Sequence, residues 1–144
     1  MSKRVLLSSC VGAVVVGGGV VATTAWGATA PTLANTSVRY VAPSADRSGS
    51  LTFTADVHDD SGVADLKVLA WPASSKLDPT ESELRSVESA TCRSLTSGTS
   101  RCTYTVRVTR AEATEGTWYV SALATGGDGN TAFVSRAAEF QVTR

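Results

Sequence analysis

Two cysteines, Cys92 and Cys102, stand ten positions apart with Thr96-Ser97-Gly98 midway between them, and that spacing constrains the fold more than any other feature of the chain. Paired across neighbouring strands, they set Arg93 opposite Arg101, Ser94 opposite Ser100 and Leu95 opposite Thr99. Thr96-Ser97-Gly98 then becomes a three-residue hairpin loop, with Gly98 where a left-handed residue is required. In an oxidising compartment an isolated pair in a short chain is a disulfide, and this spacing matches neither a C-x-x-C redox motif nor a zinc ligand set. Loop-closure entropy assigns such a bond about 2.5 to 3 kcal/mol of stability.

The compartment is read from the start of the chain. Lys3 and Arg4 precede an uncharged run from Val5 to Val21, and small residues follow from Ala25 to Ala30, the three regions of a secretory signal peptide. A spanning helix is the competing reading. Gly17, Gly18 and Gly19 weaken it by roughly 1 kcal/mol each, and no basic stop-transfer cluster follows. Cleavage is expected after Gly27 and at the latest after Ala30, giving a signal peptide over 1–27 and one domain over 28–144, with no membrane span after cleavage. Leu7-Ser8-Ser9-Cys10 has the outline of a lipobox, but only Val5, Leu6 and Leu7 are apolar ahead of it, so Cys10 is read as part of an ordinary leader. The product is expected to be secreted and extracellular.

The 117 residues left suit a single domain. Without Lys3 and Arg4, 11 basic residues face 13 acidic ones, a net charge of −2 that implies no polyanionic partner. Nucleic-acid binding is not expected, because no basic stretch is interleaved with aromatic residues.

Period-2 alternation recurs in short runs separated by turn residues. Thr36 to Ala42 is the first predicted strand. In Leu51 to Val57, Leu51, Phe53, Ala55 and Val57 share one face and should pack inward. Val63 to Trp71 follows, with Leu66, Val68 and Ala70 expected inward, Trp71 partly covered at the sheet edge, and Pro72 ending the strand. Ala73 to Val87 is read as a short helical crossover, capped by Asp78 with Pro79 in its first turn and Glu81 three residues after the cap. Beyond the cysteine hairpin, Cys102, Tyr104, Val106 and Val108 alternate with Arg101, Thr103, Thr105 and Arg107, a half-buried strand. Thr117 to Ala124 and about Thr131 to Val142 complete the set. The expectation is an all-β, immunoglobulin-like β-sandwich of about seven strands with one short crossover helix, preceded by a signal peptide.

Asp59-Asp60-Ser61-Gly62-Val63, Gly116-Thr117-Trp118 and Ala124-Thr125-Gly126-Gly127-Asp128-Gly129-Asn130-Thr131 together resemble the bacterial immunoglobulin-like modules of cell-surface and secreted proteins. Those modules carry a D-x-S-G turn, a G-T-aromatic start to a strand and an A-x-D-x-x-G-N turn. The whole chain also resembles a family of short secreted actinobacterial proteins known as a domain of unknown function. The resemblance implies the fold and leaves activity open.

His58, Asp60 and Ser61 supply the letters of a hydrolase triad, but residues this close on one turn cannot line up nucleophile, base and orienter, and the chain has no second histidine. No catalytic residue is assigned. Asp59, Asp60, Asp128 and Asn130 form the candidate metal site: in an immunoglobulin-type sandwich their two loops emerge at one end, where hard oxygen donors suit calcium. Ordinary turn chemistry explains the same residues, and no other cofactor is expected. Trp71 is the candidate ring for contact with a glycan, whereas Trp118 fits the aromatic corner at a strand start. Arg93, Arg101 and Arg107 line the wet face of the hairpin and read as a solvated face that discourages edge pairing.

The expected function is an exported, non-catalytic binding or interaction module, its partner an unidentified protein or cell-wall glycan reached through the loops of Asp60 and Asp128. A structural accessory of the cell envelope without a small ligand is the alternative, and an enzyme the third class.

Overall fold

Alternation decides the centre of the sandwich. In β2 (Gly49–His58) Leu51, Phe53, Ala55 and Val57 are buried, as their period-2 spacing requires, while Thr52 and Thr54 face outward. The structure is a computed structural model and describes residues 30–143; the expected leader over 1–27, Cys10 included, lies outside the described residues. Around β2 stand β1 (Thr32–Val41), β3 (Val63–Pro72), β4 (Thr91–Thr96), β5 (Thr99–Val108), β6 (Gly116–Gly126) and β7 (Thr131–Val142).

Seven strands form two antiparallel sheets, ordered β1-β2-β5-β4 and β3-β6-β7. Phe53, Ala55, Val57 and Cys102 of the first sheet meet Leu66, Val68, Val120 and Ala122 of the second in one core. Relabelled A to G, these orders are A-B-E-D and C-F-G, the immunoglobulin constant-type arrangement. The Cys92–Cys102 disulfide joins neighbouring strands of one sheet, whereas the bond of antibody domains crosses between sheets.

The hairpin β4–β5 carries the expected pairs Cys92↔Cys102, Arg93↔Arg101 and Ser94↔Ser100, and then departs from expectation. Thr96 pairs with Thr99, so Leu95 bulges out, 45% exposed, and the turn has two residues rather than three. Gly98 is not left-handed. Its small size matters instead, since a Cβ there would lie 3.0 Å from the His58 ring and 3.2 Å from the Asp59 carbonyl, and the Gly98 carbonyl accepts from the Asp59 N–H.

β1 begins at Thr32, four residues before the expected start, because a bulge around Asn35, whose φ is 52°, restores the register after Ala34. The crossover from β3 to β4 also differs. It has one 3-10 turn, Ala73–Ser75, and a single helical turn, α1 (Glu81–Leu84). Asp78, at φ 43°, is left-handed and cannot cap; Thr80 is the cap, in a reciprocal box with Glu83. A helix this short has no stability of its own. It is held by packing against β3 and β6 and by Leu84, which is fully buried. Residues 88–90 then run along the free edge of β3 before the chain passes to the other sheet.

Trp71 corrects a further expectation. It is 3% exposed, on the outer face of the second sheet, which the crossover covers. Its indole N–H donates to Ser121 Oγ at 2.9 Å, and Ser121 donates to the Ser135 carbonyl at 2.7 Å, inside the stretch where β7 bulges against β6. Tyr119 packs beside Trp71 with ring centroids 5.1 Å apart, and the Arg136 guanidinium lies 4.2 Å over the Tyr119 ring.

Candidate functional site

The two loops expected to converge do so. The β2–β3 turn and the β6–β7 turn are joined by the Gly127 N–H to Gly62 carbonyl bond at 2.8 Å, and Ser61 Oγ accepts from the Asp128 N–H at 3.0 Å. Their carboxylates do not gather, however. Asp59 is turned inward, 2% exposed, and its Oδ1 accepts from the Ser61 N–H and hydroxyl at 2.8 and 2.6 Å. Its Oδ2 lies against Gly126, where a Cβ would be only 2.5 Å away, so the glycine is required for this close approach. Asp128 accepts from the N–H and side-chain amide of Asn130, both at 3.0 Å. Asp60 is exposed, 3.3 Å from His58 Nε2, and His58 Nδ1 is 2.8 Å from Thr99 Oγ1.

Among the described residues no three histidine, cysteine, aspartate or glutamate side chains are grouped to hold a metal ion. Asp59 and Asp128 belong to a latch between the two turns: Asp59 Oδ1 and Asp128 Oδ1 accept from donors of their own turns and the turns are joined through Ser61 and Gly127, whereas Asp59 Oδ2 is buried with no hydrogen-bond partner among the described residues and Asp60 faces His58. Ser61 is engaged in the same latch, and the His58-Asp60-Ser61 stretch has no triad geometry. Trp71, buried and hydrogen-bonded, presents no ring to a glycan. Trp118 does occupy the corner position: its indole donates to the Thr114 carbonyl at 2.7 Å, four residues upstream, and its ring packs on Phe140.

The surface that strand register assembles, of which the sequence showed only the hairpin row of Arg93, Arg101 and Arg107, is the outer face of the β1-β2-β5-β4 sheet. Thr52 pairs with Thr105 and Thr54 with Thr103, so four threonines form a two-by-two block. Along β5 the outward positions run Arg101, Thr103, Thr105, Arg107; Arg39 joins from β1 opposite Thr52, and Arg93 from β4 opposite Arg101. Asp56 is the one acidic residue on these strand faces, and it is taken: Arg101 binds it at 2.9 and 3.4 Å, and the Asn35 side chain at 2.9 Å. The Arg101 hydrogen bond holds the Asp56 carboxyl below its ordinary range, against the opposing effect of partial burial and with help from Asn35. Among the described residues Arg39, Arg93 and Arg107 form no ion pair. Beside Arg107 an open depression of about 510 Å³ is lined by Arg47, Ser48, Gly49, Ser50, Thr105 and Val106. The hairpin row of Arg93, Arg101 and Arg107 was visible in the sequence; Arg39 reaches the same face through its pairing with Thr52, and Arg47 borders it from the loop between β1 and β2.

None of the described helices is long and apolar enough to cross a membrane. No curated protein and no solved structure matches the chain. A family model does match, over residues 33–124, from β1 through the crossover and the disulfide hairpin into β6. The chain belongs to that family, the family of unknown function DUF5707.

Proposed function

We propose that this protein is an exported, non-catalytic binding module that works at the cell surface, engaging an envelope polymer across the open face of its β1-β2-β5-β4 sheet. The observation that carries this reading is the contrast in cover. The crossover lies over the outer face of the other sheet, whereas this one leaves a block of threonines and three arginines with no ion pair among the described residues. A disulfide clamps β4 to β5 and keeps the face rigid, which lowers the ordering entropy lost on binding. Export is supported by the same bond and by the leader-like run from Val5 to Val21, and the actinobacterial resemblance fits a surface role.

The latch residues Asp59 and Asp128 hold the loop end of the sandwich in this reading, and contact with the partner shifts from the loops to the sheet face. Sedimentation of the purified, oxidised protein with isolated cell envelopes tests it. Saturable retention is expected; retention absent at all concentrations replaces binding with the structural accessory role. Mass spectrometry of the secreted protein, expected to start near Ala28 with Cys92 and Cys102 oxidised and no lipid, checks export in the same preparation.

A further inference from the structure

A chain with a net charge near −2 after loss of its leader should have no preference for anions, yet the fold separates its charges. Arg39, Arg93, Arg101 and Arg107 stand on one sheet face with Asp56 alone among them, and Arg47 flanks the depression at the end of that face. Many of the acids lie elsewhere: Glu81 and Glu83 on α1, Asp65 on β3 and Glu139 on β7. Arg93 and Arg101 are directly opposite, a like-charge pair that destabilises a sheet unless a counter-charge meets it. Asp56 meets Arg101 alone, and Arg93 is left for another anion.

We infer that this face binds a phosphate-bearing polyol polymer, with Arg93 and Arg107 holding phosphates and the threonine block holding the hydroxyls between them. The inference rests on the binding role proposed above and names its ligand. Arginine forks match phosphate oxygens in bidentate fashion, and threonine hydroxyls both donate and accept, as polyol hydroxyls do. Arg101 and Arg107 are six residues apart on one strand, about 20 Å, so the row suits an extended chain rather than a single small anion. The depression between Arg47 and Arg107 provides a seat for the first unit. The outward positions of β2 and β5 carry no aromatic side chain apart from the ring of His58 at the far end, which disfavours nucleic-acid bases and uncharged sugar rings, both of which stack on aromatic platforms. No large apolar side chain projects from the centre of the face to enter a bilayer, which disfavours a lipid surface.

The test is binding of the full oxidised protein to poly(glycerol phosphate) by calorimetry, with phosphatidylglycerol vesicles and uncharged dextran beside it. Saturable binding to the polymer that weakens as salt rises is expected, with none to dextran. Arg93→Glu combined with Arg107→Glu is expected to weaken it at least about tenfold, while Lys76→Glu, on the crossover, changes it less than about twofold. The arginines of the double variant make no ion pair, so its melting temperature should match the parent and separate lost binding from lost fold. Unchanged affinity in the double variant overturns the assignment of the face, and binding to vesicles in preference to the polymer overturns the ligand. Retention on envelopes without affinity for the polymer overturns this inference and leaves the binding role standing; no retention on either overturns both.

Discussion

The two sheets of this sandwich present outer faces built on the same alternation, and they meet opposite fates. On the β3-β6-β7 sheet the outward row includes Trp71, Tyr119, Ser121 and Leu123, and the crossover roofs it, with Trp71, Ser121, Leu123 and Leu84 all buried. On the β1-β2-β5-β4 sheet the outward row of β2 and β5 is mainly threonine and arginine and, Asp56 apart, is not buried. The difference teaches that a half-buried strand pattern specifies which residues face the core between the sheets, but not whether the other face is wet. That is decided by where a connecting segment of the chain comes to lie.

The comparison is broken most directly at Trp71. If the roofed face is a second small core, Trp71→Ala costs about 3 to 5 kcal/mol in denaturant unfolding. A variant of near-parent stability would mean that the crossover merely rests on the sheet. The open face relies instead on a covalent clamp. Replacing Cys92 and Cys102 together by serine, or reducing the parent protein, should remove about 2.5 to 3 kcal/mol, and a loss under about 1 kcal/mol would show that strand pairing alone sets the hairpin register. Ser121→Ala sharpens the roofed side further. It strips the partner from the buried Trp71 N–H and from the Ser135 carbonyl, a loss of about 1 to 3 kcal/mol in the same unfolding assay.

On the open side the expected changes are small. Thr52→Ala and Thr105→Ala should each shift stability by no more than about 0.5 kcal/mol, since neither side chain is packed under other structure. A larger loss would reveal packing across the open face. The smallest effect belongs to Asp56. Its carboxyl titrates below its unfolded value of about 3.9, so the stability it contributes is complete above that pH and fades as acid carries the solution down through the folded value. Asp56→Asn is therefore expected to flatten the acid limb of the stability profile below about pH 4, read by melting at stepped pH.

Much of the fold was legible where one short segment carried the whole signal. The inward face of β2, the alternation of β5 and the pairing of Cys92 to Ser94 with Ser100 to Cys102 each depend on neighbours a few residues away, and each stands as read. The candidate site was less legible. Asp59, Asp60, Asp128 and Asn130 do lie on converging loops, yet Asp59 Oδ1 and Asp128 Oδ1 serve turn N–H groups, because an Asp two residues before a free backbone donor satisfies it at the shortest range available, and Asp60 faces His58. Thr80-Glu81-Ser82-Glu83 was a readable capping box overshadowed by Asp78-Pro79, and a bulge at Leu95 shortened the hairpin turn without any local mark.

By itself, then, the sequence determined which side of each strand is apolar, where the chain turns and which two thiols can meet, because those properties act over distances that a few covalent bonds span. The order of strands in each sheet decided the rest. Arg39, Thr52, Thr105 and Arg107 come together from three strands, and Trp71 reaches Ser121 across fifty positions, only when the long-range register exists. Register between distant strands is fixed by the joint packing of both sheets on one core, and no single segment of the chain carries that information.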